Sequence, residues 1–444
     1  MDIKTPRNVY LSAFYKRSFA YHTVKNRMPV ILTQIIDSIS RTKEDIVQEF
    51  GKGSHEDLKK AISELAKLKY EIQTNKPLTK LVSKDSDIKI YNEFLEKQAS
   101  QEGEATHFNT IFLLSECYMY RRIKESFVLT DTLKEFDYFR SFKKELFVSC
   151  QKALKIWCDY NVELFHKSFE ENWAGYEDKL HGLIKVDLWG NKNDLSLTLG
   201  RVGDMSHSHD ADALEHFILV DDSKKFLKDL VEISVLHGHE YIDIVLDNAG
   251  YELLTDLCLM TAFTIFFRKQ GDPCQSRFKV RFHVKSIPWY LSDVMEYDFN
   301  WMLEQIASNE DANISSVGKK WQDFIRDGTW EVMPHPFWTY PCEYNMMPDY
   351  APDLFELLSK SAMVIFKGDL NYRKIFGEKN WDPTTSPKIA LQGLELRLLA
   401  IRTIKADIVC GLQPGIAERC EKEDAKWMEN GDYGVIQYVL AKQH

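Results

Sequence analysis

The most constraining feature of the sequence is a short strand-like run that passes directly into a helical pattern. Residues 241–246 read Tyr-Ile-Asp-Ile-Val-Leu, and this β-branched composition is typical of a buried strand. Asp247 and Asn248 follow it, and from Tyr251 the apolar residues recur at helical spacing. In open α/β sheets, ligands bind at the carboxyl ends of the strands. The sequence therefore places a carboxylate and an amide at a ligand-binding edge.

The same alternation recurs through the second half of the chain. The patterns predict strands at 278–286, 363–367 and roughly 398–404, a last element within 433–440, and helices at 223–236, 251–268, 351–361 and a further one ending at Asn309. Strand–helix–strand order implies parallel neighbouring strands and right-handed crossovers. We therefore expect an α/β fold, a Rossmann-like α/β/α sandwich, over residues 183–444.

The first part of the chain has a different pattern. Apolar residues recur at helical spacing in four stretches, within 22–50, 56–73, 111–127 and 138–165. No convincing strand pattern comes before about residue 179, and the composition changes near Leu183. We therefore predict a helical N-terminal domain over residues 1–182, which covers the Rossmann-like domain that follows.

Composition excludes several classes of protein. The formal net charge of −10 argues against a nucleic-acid backbone as the main partner, because phosphate contacts need a basic surface. No apolar run approaches the roughly 20 residues of a membrane span. The eight cysteines are scattered without a CxxC pair, which indicates reduced core thiols. We expect a protein of the cytoplasm or the nucleus that binds neither membranes nor nucleic acids directly.

Acidic residues follow three predicted strands. Asp247, Asp293 and Asp369 should lie along the same edge of the sheet, with Asn248 beside them. Close like charges disfavour ionisation, so a cation is expected there, and carboxylate and amide oxygens favour Mg²⁺ or Mn²⁺ over Zn²⁺. Asp residues at strand ends are also common helix caps, and on spacing alone this structural alternative stays open.

Basic residues come after the last two of these strands. Arg373, Arg402 and Lys405 would lie near the acidic edge. A cation, a basic clamp and a helix N-terminus together form the layout of a phosphoryl-transfer site. Five histidines make a competing zinc cluster, which we rank well below a solvated loop because no paired cysteines accompany them; they are His207, His209, His216, His237 and His239.

Five segments resemble one known family. They are Asp-Asn-Ala-Gly-Tyr-Glu-Leu at 247–253, Lys-Ser-Ile-Pro-Trp at 285–289 with Ser292 and Asp293, Phe-Lys-Gly-Asp-Leu-Asn-Tyr-Arg-Lys at 366–374, Leu-Trp-Gly-Asn at 188–191 and Arg-Thr-Ile-Lys at 402–405. The chain resembles the metal-dependent damage-control phosphatases, in the eukaryotic branch also called acidic residue methyltransferases. The resemblance runs from about residue 18 to the C-terminus.

The resemblance implies a role for each matching residue. Asp247, Asn248 and Asp293 match the metal ligands, for Mn²⁺, Ni²⁺, Co²⁺ or Mg²⁺, and Asp247, Asp293 and Asp369 are the implied catalytic residues. The implied substrate contacts are Asp247, Asn248, Asn191, Asp369, Leu370, Asn371, Tyr372, Arg373 and the phosphate-binding Lys405. The family's substrates are sugar phosphates such as fructose 1-phosphate and fructose 6-phosphate, whose removal limits glycation. Whether water or a carboxylate attacks phosphorus stays open.

Two further functions are weighed against phosphatase activity. The family resemblance also implies an S-adenosylmethionine-dependent methyltransferase acting on protein glutamates, with Glu252 and Asp293 at the cofactor. Against it, the turn after residue 246 has a single glycine, whereas that cofactor usually lies against a glycine-rich turn. The third hypothesis is a binding protein in which the metal is only a structural clip.

Overall fold

A seven-stranded sheet lies at the centre of the computed structural model, which describes residues 1–166, 173–193, 214–234, 240–269 and 272–440. The sheet strands are β1 (Ile218–Asp221), β2 (Tyr241–Val245), β5 (Lys279–Val284), β6 (Trp330–Pro334), β7 (Met363–Lys367), β8 (Leu398–Thr403) and β9 (Gly434–Val439). A separate hairpin joins β3 (Arg268–Lys269) to β4 (Asp272–Ser276). The order across the sheet is β1-β9-β8-β7-β2-β5-β6.

Every neighbouring pair of sheet strands is parallel except β8 and β9. Uniformly parallel pairing was therefore a wrong expectation at this one place. Thr403, the last residue of β8, pairs with Gly434, the first residue of β9. The chain thus returns at the same end of the sheet without crossing it, and such a return gives an antiparallel pair.

Several elements of the structure were not predicted from the sequence, among them the three that follow. Residues 330–334 were expected in an aromatic connection but form β6, an edge strand that is only partly buried and ends in a proline. The four-residue edge strand β1 was not predicted, and neither was the helix Ala312–Arg326. β1 has only three apolar residues before its aspartate, and β6 is interrupted by a glutamate and ends in a proline, so composition alone identifies neither edge strand. The predicted strands corresponding to β2, β5, β7 and β8 are confirmed, with ends within two residues.

Helices surround the sheet and make up nearly all of the first part of the chain. Before β1 the α-helices are Phe19–His22, Met28–Arg41, Lys43–Phe50, Ser54–Gln73, Ile88–Glu102, Phe112–Val128, Arg140–Ser149, Gln151–His166 and Trp173–Gly190, with a π-helical turn at Thr23–Arg27. From β1 onward they are Ser223–Ser234, Tyr251–Phe266, Glu296–Ala307, Ala312–Arg326, Met347–Tyr350, Pro352–Ser359, Gly368–Ile375, Pro387–Ala390 and Ile416–Glu423. Short 3₁₀ turns lie at Asn191–Asn193, Glu215–Phe217, Pro336–Thr339 and Tyr344–Met346.

The two faces of the sheet pack into two different cores. Side chains alternate along a strand, so Val364 and Phe366 of β7 enter one core while Met363 and Ile365 enter the other. The first core contains most of the helices before residue 140, and the second contains the helices that flank β2 and β5. This layering confirms the predicted α/β sandwich with helical regions.

The helix Trp173–Gly190 runs through position 182–183, where the sequence composition placed a domain boundary. The division into domains 1–182 and 183–444 stays a prediction. Within the described parts of the chain, every helix is too short or too polar to span a membrane.

Candidate active site

The chain segments that follow β2 and β5 are joined by backbone hydrogen bonds at the carboxyl edge of the sheet. Asn248 and Asp293 form an isolated antiparallel bridge. The N–H of Ala249 donates to the carbonyl of Ser292 at 2.7 Å, and the N–H of Val294 donates to the carbonyl of Asp247 at 2.8 Å. The spacing between the three predicted metal-binding residues is therefore set by the main chain rather than by flexible side chains.

Two side-chain amides hold the carboxylate of Asp247. The amide of Asn191 donates to Asp247 Oδ2 at 2.7 Å and to Glu252 Oε2 at 2.6 Å. The amide of Asn248 donates to the same two oxygens at 2.9 and 2.8 Å. Ser292 donates to Asn248 Oδ1 at 2.6 Å, which fixes the orientation of that amide. Asn191, predicted as a substrate contact, is thus hydrogen-bonded to Asp247, a predicted metal ligand.

Gly368 lets the segment after β7 approach Asp247 closely. Its φ angle is +83°, a conformation that favours glycine. A Cβ atom at this position would lie 2.0 Å from Asp247 Oδ2, which is far inside van der Waals contact. Any side chain at position 368 would therefore displace the carboxylate.

Asp369 is fixed by the last residues of β8 and by the loop that follows them. Its Oδ1 accepts hydrogen bonds from Arg402 Nε at 2.8 Å and from the N–H of Lys405 at 3.0 Å. The ammonium group of Lys405 donates to Asn191 Oδ1 at 2.8 Å and to the Asn191 carbonyl, while Thr403 donates to the same Oδ1 at 2.6 Å. The end of β8 and this loop therefore orient both Asp369 and the amide of Asn191.

A narrow cavity opens among these groups. Its wall contains six residues predicted from the sequence, namely Asp247, Asp293, Asp369, Leu370, Arg373 and Lys405. Four further wall residues were not predicted, namely Phe19, Arg27, Glu116 and Tyr290. Three of these four come from the N-terminal helical region. The cavity thus lies between that region and the edge of the sheet.

Two predicted substrate contacts make hydrogen bonds away from this wall. Asn371 Oδ1 accepts a hydrogen bond from Tyr344 at 2.5 Å, and the Asn371 amide donates to the Lys367 carbonyl at 2.8 Å. The hydroxyl of Tyr372 donates to Gln437 at 2.7 Å. Both side chains anchor the helix Gly368–Ile375 in the core, and their role as substrate contacts stays a prediction.

A buried cluster of charges adjoins the predicted metal ligands through Glu252. We call it the floor cluster, and it consists of Lys367, Asp187, Glu252 and Asp256. Lys367 Nζ is 2.8 Å from Asp187 Oδ1, 2.7 Å from Asp256 Oδ1 and 3.4 Å from Glu252 Oε1. Burial alone would lower the pKa of Lys367, but the three carboxylates raise it above its usual value. Burial raises the pKa of Asp256, although Lys367 acts against this.

A second buried cluster lies between the sheet and the N-terminal helices, and we call it the wall cluster: Arg373, Glu116, Glu378 and Tyr290. Arg373 Nε donates to Glu378 at 2.6 Å and its Nη1 donates to Glu116 at 2.9 Å. Tyr290 donates to the same oxygen of Glu116 at 2.6 Å. Burial raises the pKa of Glu378 to about 7, while Arg373 lowers it. Arg373, predicted as a phosphate clamp, is thus already bonded to two carboxylates.

Tyr290 and Leu291 have φ angles of +41° and +64°, which are rare for residues with side chains. The ring of Tyr290 stacks on Tyr120 at a centroid distance of 4.3 Å, and its hydroxyl bonds to Glu116. Contacts with the helix Phe112–Val128 therefore hold the conformation that brings Ser292 and Asp293 to the cavity. Strain of this kind concentrates at functional sites.

Sequence reasoning had one available signal for these residues. Glu116 lies in the otherwise mainly apolar run Phe-Leu-Leu-Ser-Glu-Cys-Tyr-Met-Tyr at 112–120, and a lone carboxylate on a buried helix needs a partner. Phe19, Arg27 and Tyr290 carry no comparable signal. Arg121 and Arg122, on the same helix, pair with Asp85 and Asp87 and with Glu71 and Glu125 respectively.

The donor set at the sheet edge fits a divalent cation. Two carboxylates, Asp247 and Asp293, and the amide of Asn248 supply the oxygen ligands that Mn²⁺ and Mg²⁺ take. Across the described residues there is no group of three or more His, Cys, Asp or Glu placed to hold a metal, so the predicted set depends on its amide. Of the proposed zinc histidines, His216 packs against Phe217, and His207, His209, His237 and His239 lie outside the described residues.

Comparison with known proteins identifies the family. The model of the damage-control phosphatase ARMT1-like domain matches residues 23–420. The chain belongs to this family. Proteins named damage-control phosphatase ARMT1 are 40% identical in Mus musculus (97% of this chain, 98% of theirs), 39% in Danio rerio (96% of both) and 37% in Homo sapiens (95% and 96%). The protein is therefore a damage-control phosphatase, a hydrolase, and its family implies a divalent metal.

Proposed function

We propose that the protein hydrolyses small sugar phosphates, such as fructose 1-phosphate and fructose 6-phosphate, with a divalent metal. The observation that carries the proposal is the shared cavity: Asp247, Asp293 and Asp369 line it together with Arg373 and Lys405. Acidic groups for a cation and basic groups for an anion meet there at the carboxyl edge of the sheet. This combination suits phosphoryl transfer.

Asp247, Asn248 and Asp293 would hold the metal, with Mn²⁺ the first choice and Ni²⁺, Co²⁺ or Mg²⁺ as alternatives. Such an ion supplies charge neutralisation at the phosphate and polarises the P–O bonds. Lys285 Nζ lies 3.0 Å from Asp293 Oδ2 and holds that carboxylate in place. Asn191 and Glu252 do the same for Asp247 and Asn248 through the amide hydrogen bonds.

The remaining groups have distinct roles in the proposed reaction. Lys405 stabilises negative charge that develops on the phosphate oxygens. The carboxylate of Asp369, oriented by Arg402 and the Lys405 N–H, positions the attacking water or binds the sugar hydroxyls. Arg373 contributes part of its charge to the cavity, since its guanidinium is also bonded to Glu116 and Glu378.

The geometry favours a phosphatase over a methyltransferase. The single glycine of the turn after β2, Gly250, has a φ of +79°, and a Cβ there would meet Leu146 Cβ at 2.6 Å. This glycine therefore allows a helix to pack closely. Glu252, the implied cofactor contact, accepts hydrogen bonds from Asn191 and Asn248. S-adenosylmethionine-dependent methylation of protein glutamates stays a prediction from family resemblance.

We also infer where the protein works. The seven cysteines whose side chains the structure describes are buried and free, and burial raises the pKa of each thiol. Unreactive core thiols suit a reducing compartment. Together with the net charge of −10, this supports action on small molecules in the cytoplasm and nucleus, without direct nucleic-acid binding.

The decisive experiment is phosphate release from fructose 1-phosphate and fructose 6-phosphate by purified protein. The assay is run with EDTA, with added Mn²⁺, Ni²⁺, Co²⁺ or Mg²⁺, and with the Asp293→Asn variant. We expect turnover that requires metal and falls at least about 100-fold in the variant, because the variant loses a charged metal ligand.

The matched control is Asp353→Asn, because the carboxylate of Asp353 is 77% exposed on a helix away from the cavity. It should keep the parent rate. Metal-independent turnover, or equal rates in Asp293→Asn and the parent, would defeat the proposed site. If no sugar phosphate is hydrolysed with any metal, transfer of labelled methyl groups to protein glutamates becomes the next measurement.

A further inference from the structure

We propose that Arg27 is a further substrate-binding residue, which contacts the phosphate oxygens of the bound phosphomonoester. The proposal rests on the hydrolysis proposed above and extends it to the N-terminal helical region. Arg27 lines the cavity together with Asp247, Asp293 and Lys405, although it is more than 200 residues away in sequence from each of them. Arg27 would be the residue that the N-terminal helical region contributes to phosphate binding.

The backbone at Arg27 is unusual. Residues Thr23–Arg27 form a π-helical turn between the helices Phe19–His22 and Met28–Arg41. π-Helical turns are rare and occur frequently at functional sites. In this turn Thr23 and Val24 are buried, whereas Arg27 is partly exposed and lies at the cavity. The irregular turn therefore coincides with the place where this region meets the site.

The charges around the cavity favour a phosphate-binding role. Arg373 is bonded to Glu116 and Glu378, and Lys405 is bonded to Asn191. The wall carries four carboxylates and three cations, which are Asp247, Asp293, Asp369, Glu116, Arg27, Arg373 and Lys405. A dianionic phosphate needs positive charge beyond that of a metal held by two carboxylates. The planar guanidinium of arginine suits phosphate oxygens because it can donate two parallel hydrogen bonds.

Arg27 is held near the loop that carries Lys405. Its guanidinium lies 5.4 Å from the centre of the Phe19 ring, and Phe19 also lines the cavity. The N–H of Phe19 donates to Asp407 at 2.6 Å, two residues after Lys405. The two cations are thus tied to one another through Phe19 and Asp407 before any ligand binds. Such preorganisation lowers the cost of binding.

The test measures binding of inorganic phosphate by titration calorimetry to the Mn²⁺-loaded protein, beside steady-state kinetics with fructose 1-phosphate. Arg27→Ala should weaken phosphate binding and raise KM by about 10- to 100-fold, the effect of a lost charge-assisted hydrogen bond. Arg27→Lys keeps the positive charge but loses the two parallel N–H donors of the guanidinium, so it should recover part of the phosphate affinity that Arg27→Ala loses. Lys25→Ala is the matched control.

Lys25 belongs to the same turn and lies 5.4 Å from the ring centre of Tyr21, but it is exposed and lies outside the cavity wall. Lys25→Ala should bind phosphate like the parent. If Arg27 only supports Phe19, Arg27→Ala will lower the unfolding temperature and leave phosphate affinity and KM unchanged, which overturns the proposal. A folded Arg27→Lys variant with unchanged affinity and KM, beside an Arg27→Ala variant that does not fold, also overturns it.

The proposal and the underlying activity fail differently. If the parent hydrolyses no phosphomonoester but binds phosphate more tightly than Arg27→Ala, the anion site stands and the proposed hydrolysis fails. If the parent hydrolyses sugar phosphates and the Arg27 variants match it in both measurements, the hydrolysis stands and the role of Arg27 fails. A parent protein that binds no phosphate in the presence of Mn²⁺ overturns the role of Arg27 as well.

Discussion

The floor cluster and the wall cluster solve the same electrostatic problem in two ways. Each buries one cation among carboxylates, and the two cations, Lys367 and Arg373, are six residues apart around the junction of β7 and the helix Gly368–Ile375. In the floor cluster a compact ammonium group lies among three carboxylates. In the wall cluster a planar guanidinium bonds to two carboxylates, one of which also accepts from Tyr290.

The difference between the clusters lies in what they connect. The floor cluster reaches the predicted metal ligands, because Glu252 accepts hydrogen bonds from both Asn191 and Asn248. The wall cluster joins regions distant in sequence, since Glu116 belongs to a helix 257 residues before Arg373. We infer that the floor cluster serves the chemistry of the site, and that the wall cluster serves its assembly from two parts of the chain.

The largest expected effect is on stability, at the centre of the floor cluster. Lys367→Met would leave three buried carboxylates without their cation, and breaking a buried ion pair from one side costs about 3–5 kcal/mol. Urea unfolding followed by circular dichroism measures it. Lys360→Met is the control, because that lysine is 70% exposed and pairs with Glu356, so less than about 1 kcal/mol should be lost. Equal losses in the two variants would contradict the comparison.

The wall cluster should make the free energy of unfolding depend on pH. Burial raises the pKa of Glu378 to about 7 from its ordinary value of 4.5, so folding favours its protonated form. The stability that this group contributes is complete below about pH 4.5 and is lost as the pH rises through about 7, by about 3 kcal/mol in total. Glu378→Gln should therefore flatten the dependence of unfolding free energy on pH across this window.

Urea unfolding of the parent and of Glu378→Gln between about pH 5 and about pH 8 measures the difference in slope. Glu356→Gln serves as the control, because the carboxylate of Glu356 is 71% exposed. That variant should keep the parent's dependence on pH. A Glu378→Gln variant that also keeps it would show that Glu378 is ionised throughout the window.

The third prediction separates the two clusters by metal affinity. Glu252→Gln removes the carboxylate that orients the amides of Asn191 and Asn248, and loss of such a partner typically weakens metal binding by about 10- to 100-fold. Titration calorimetry with Mn²⁺ measures it. Glu378→Gln, in the wall cluster, should bind Mn²⁺ within about twofold of the parent, since Glu378 makes its bonds to Arg373. The reverse ranking would exchange the roles that we assign to the clusters.

The fourth prediction concerns Tyr290, where the expected effect is on stability and not on metal binding. Tyr290→Phe removes the hydrogen bond to Glu116 and should cost about 1.5–3 kcal/mol of unfolding free energy, as for hydrogen bonds to charged groups. Chemical unfolding measures it, with Tyr297→Phe as the control because Tyr297 is 49% exposed. Since the ring of Tyr290 would still stack on Tyr120, the position of Asp293 and the affinity for Mn²⁺ should be nearly unchanged. A loss of Mn²⁺ binding would show that the hydroxyl helps to position Asp293.

The parts of the fold that the sequence predicts are those determined locally. β2 and β7 are buried and mostly apolar, and β5 alternates polar with apolar residues; both patterns are typical of strands. The direction of β9 depends instead on where the chain re-enters the sheet, which local composition does not specify. β6 is half-buried and ends at Pro334, so it lacks the composition of a central strand.

The same division applies to the candidate site. Asp247, Asp293 and Asp369 could be placed together because strand ends share one edge of a parallel sheet, and they do line one cavity. The packing of the N-terminal helices brings Arg27, Glu116 and Phe19 to that cavity. No local residue pattern in the sequence specifies this packing. The position of Arg373 was predicted, but its bonds to Glu116 and Glu378 depend on those distant contacts.

Gly368 is a position at which the protein should accept no other residue. Its hydrogen atom occupies the space where any larger substituent would touch the carboxylate of Asp247. The gentlest possible replacement, by alanine, should therefore be as harmful in a saturation mutagenesis screen as loss of Asp247 itself. Neighbouring Leu370 faces no such limit from the backbone, so tolerance should rise sharply within two positions. A map of permitted substitutions along the helix Gly368–Ile375 would therefore mark the residue that touches the carboxylate of Asp247, with no ligand added.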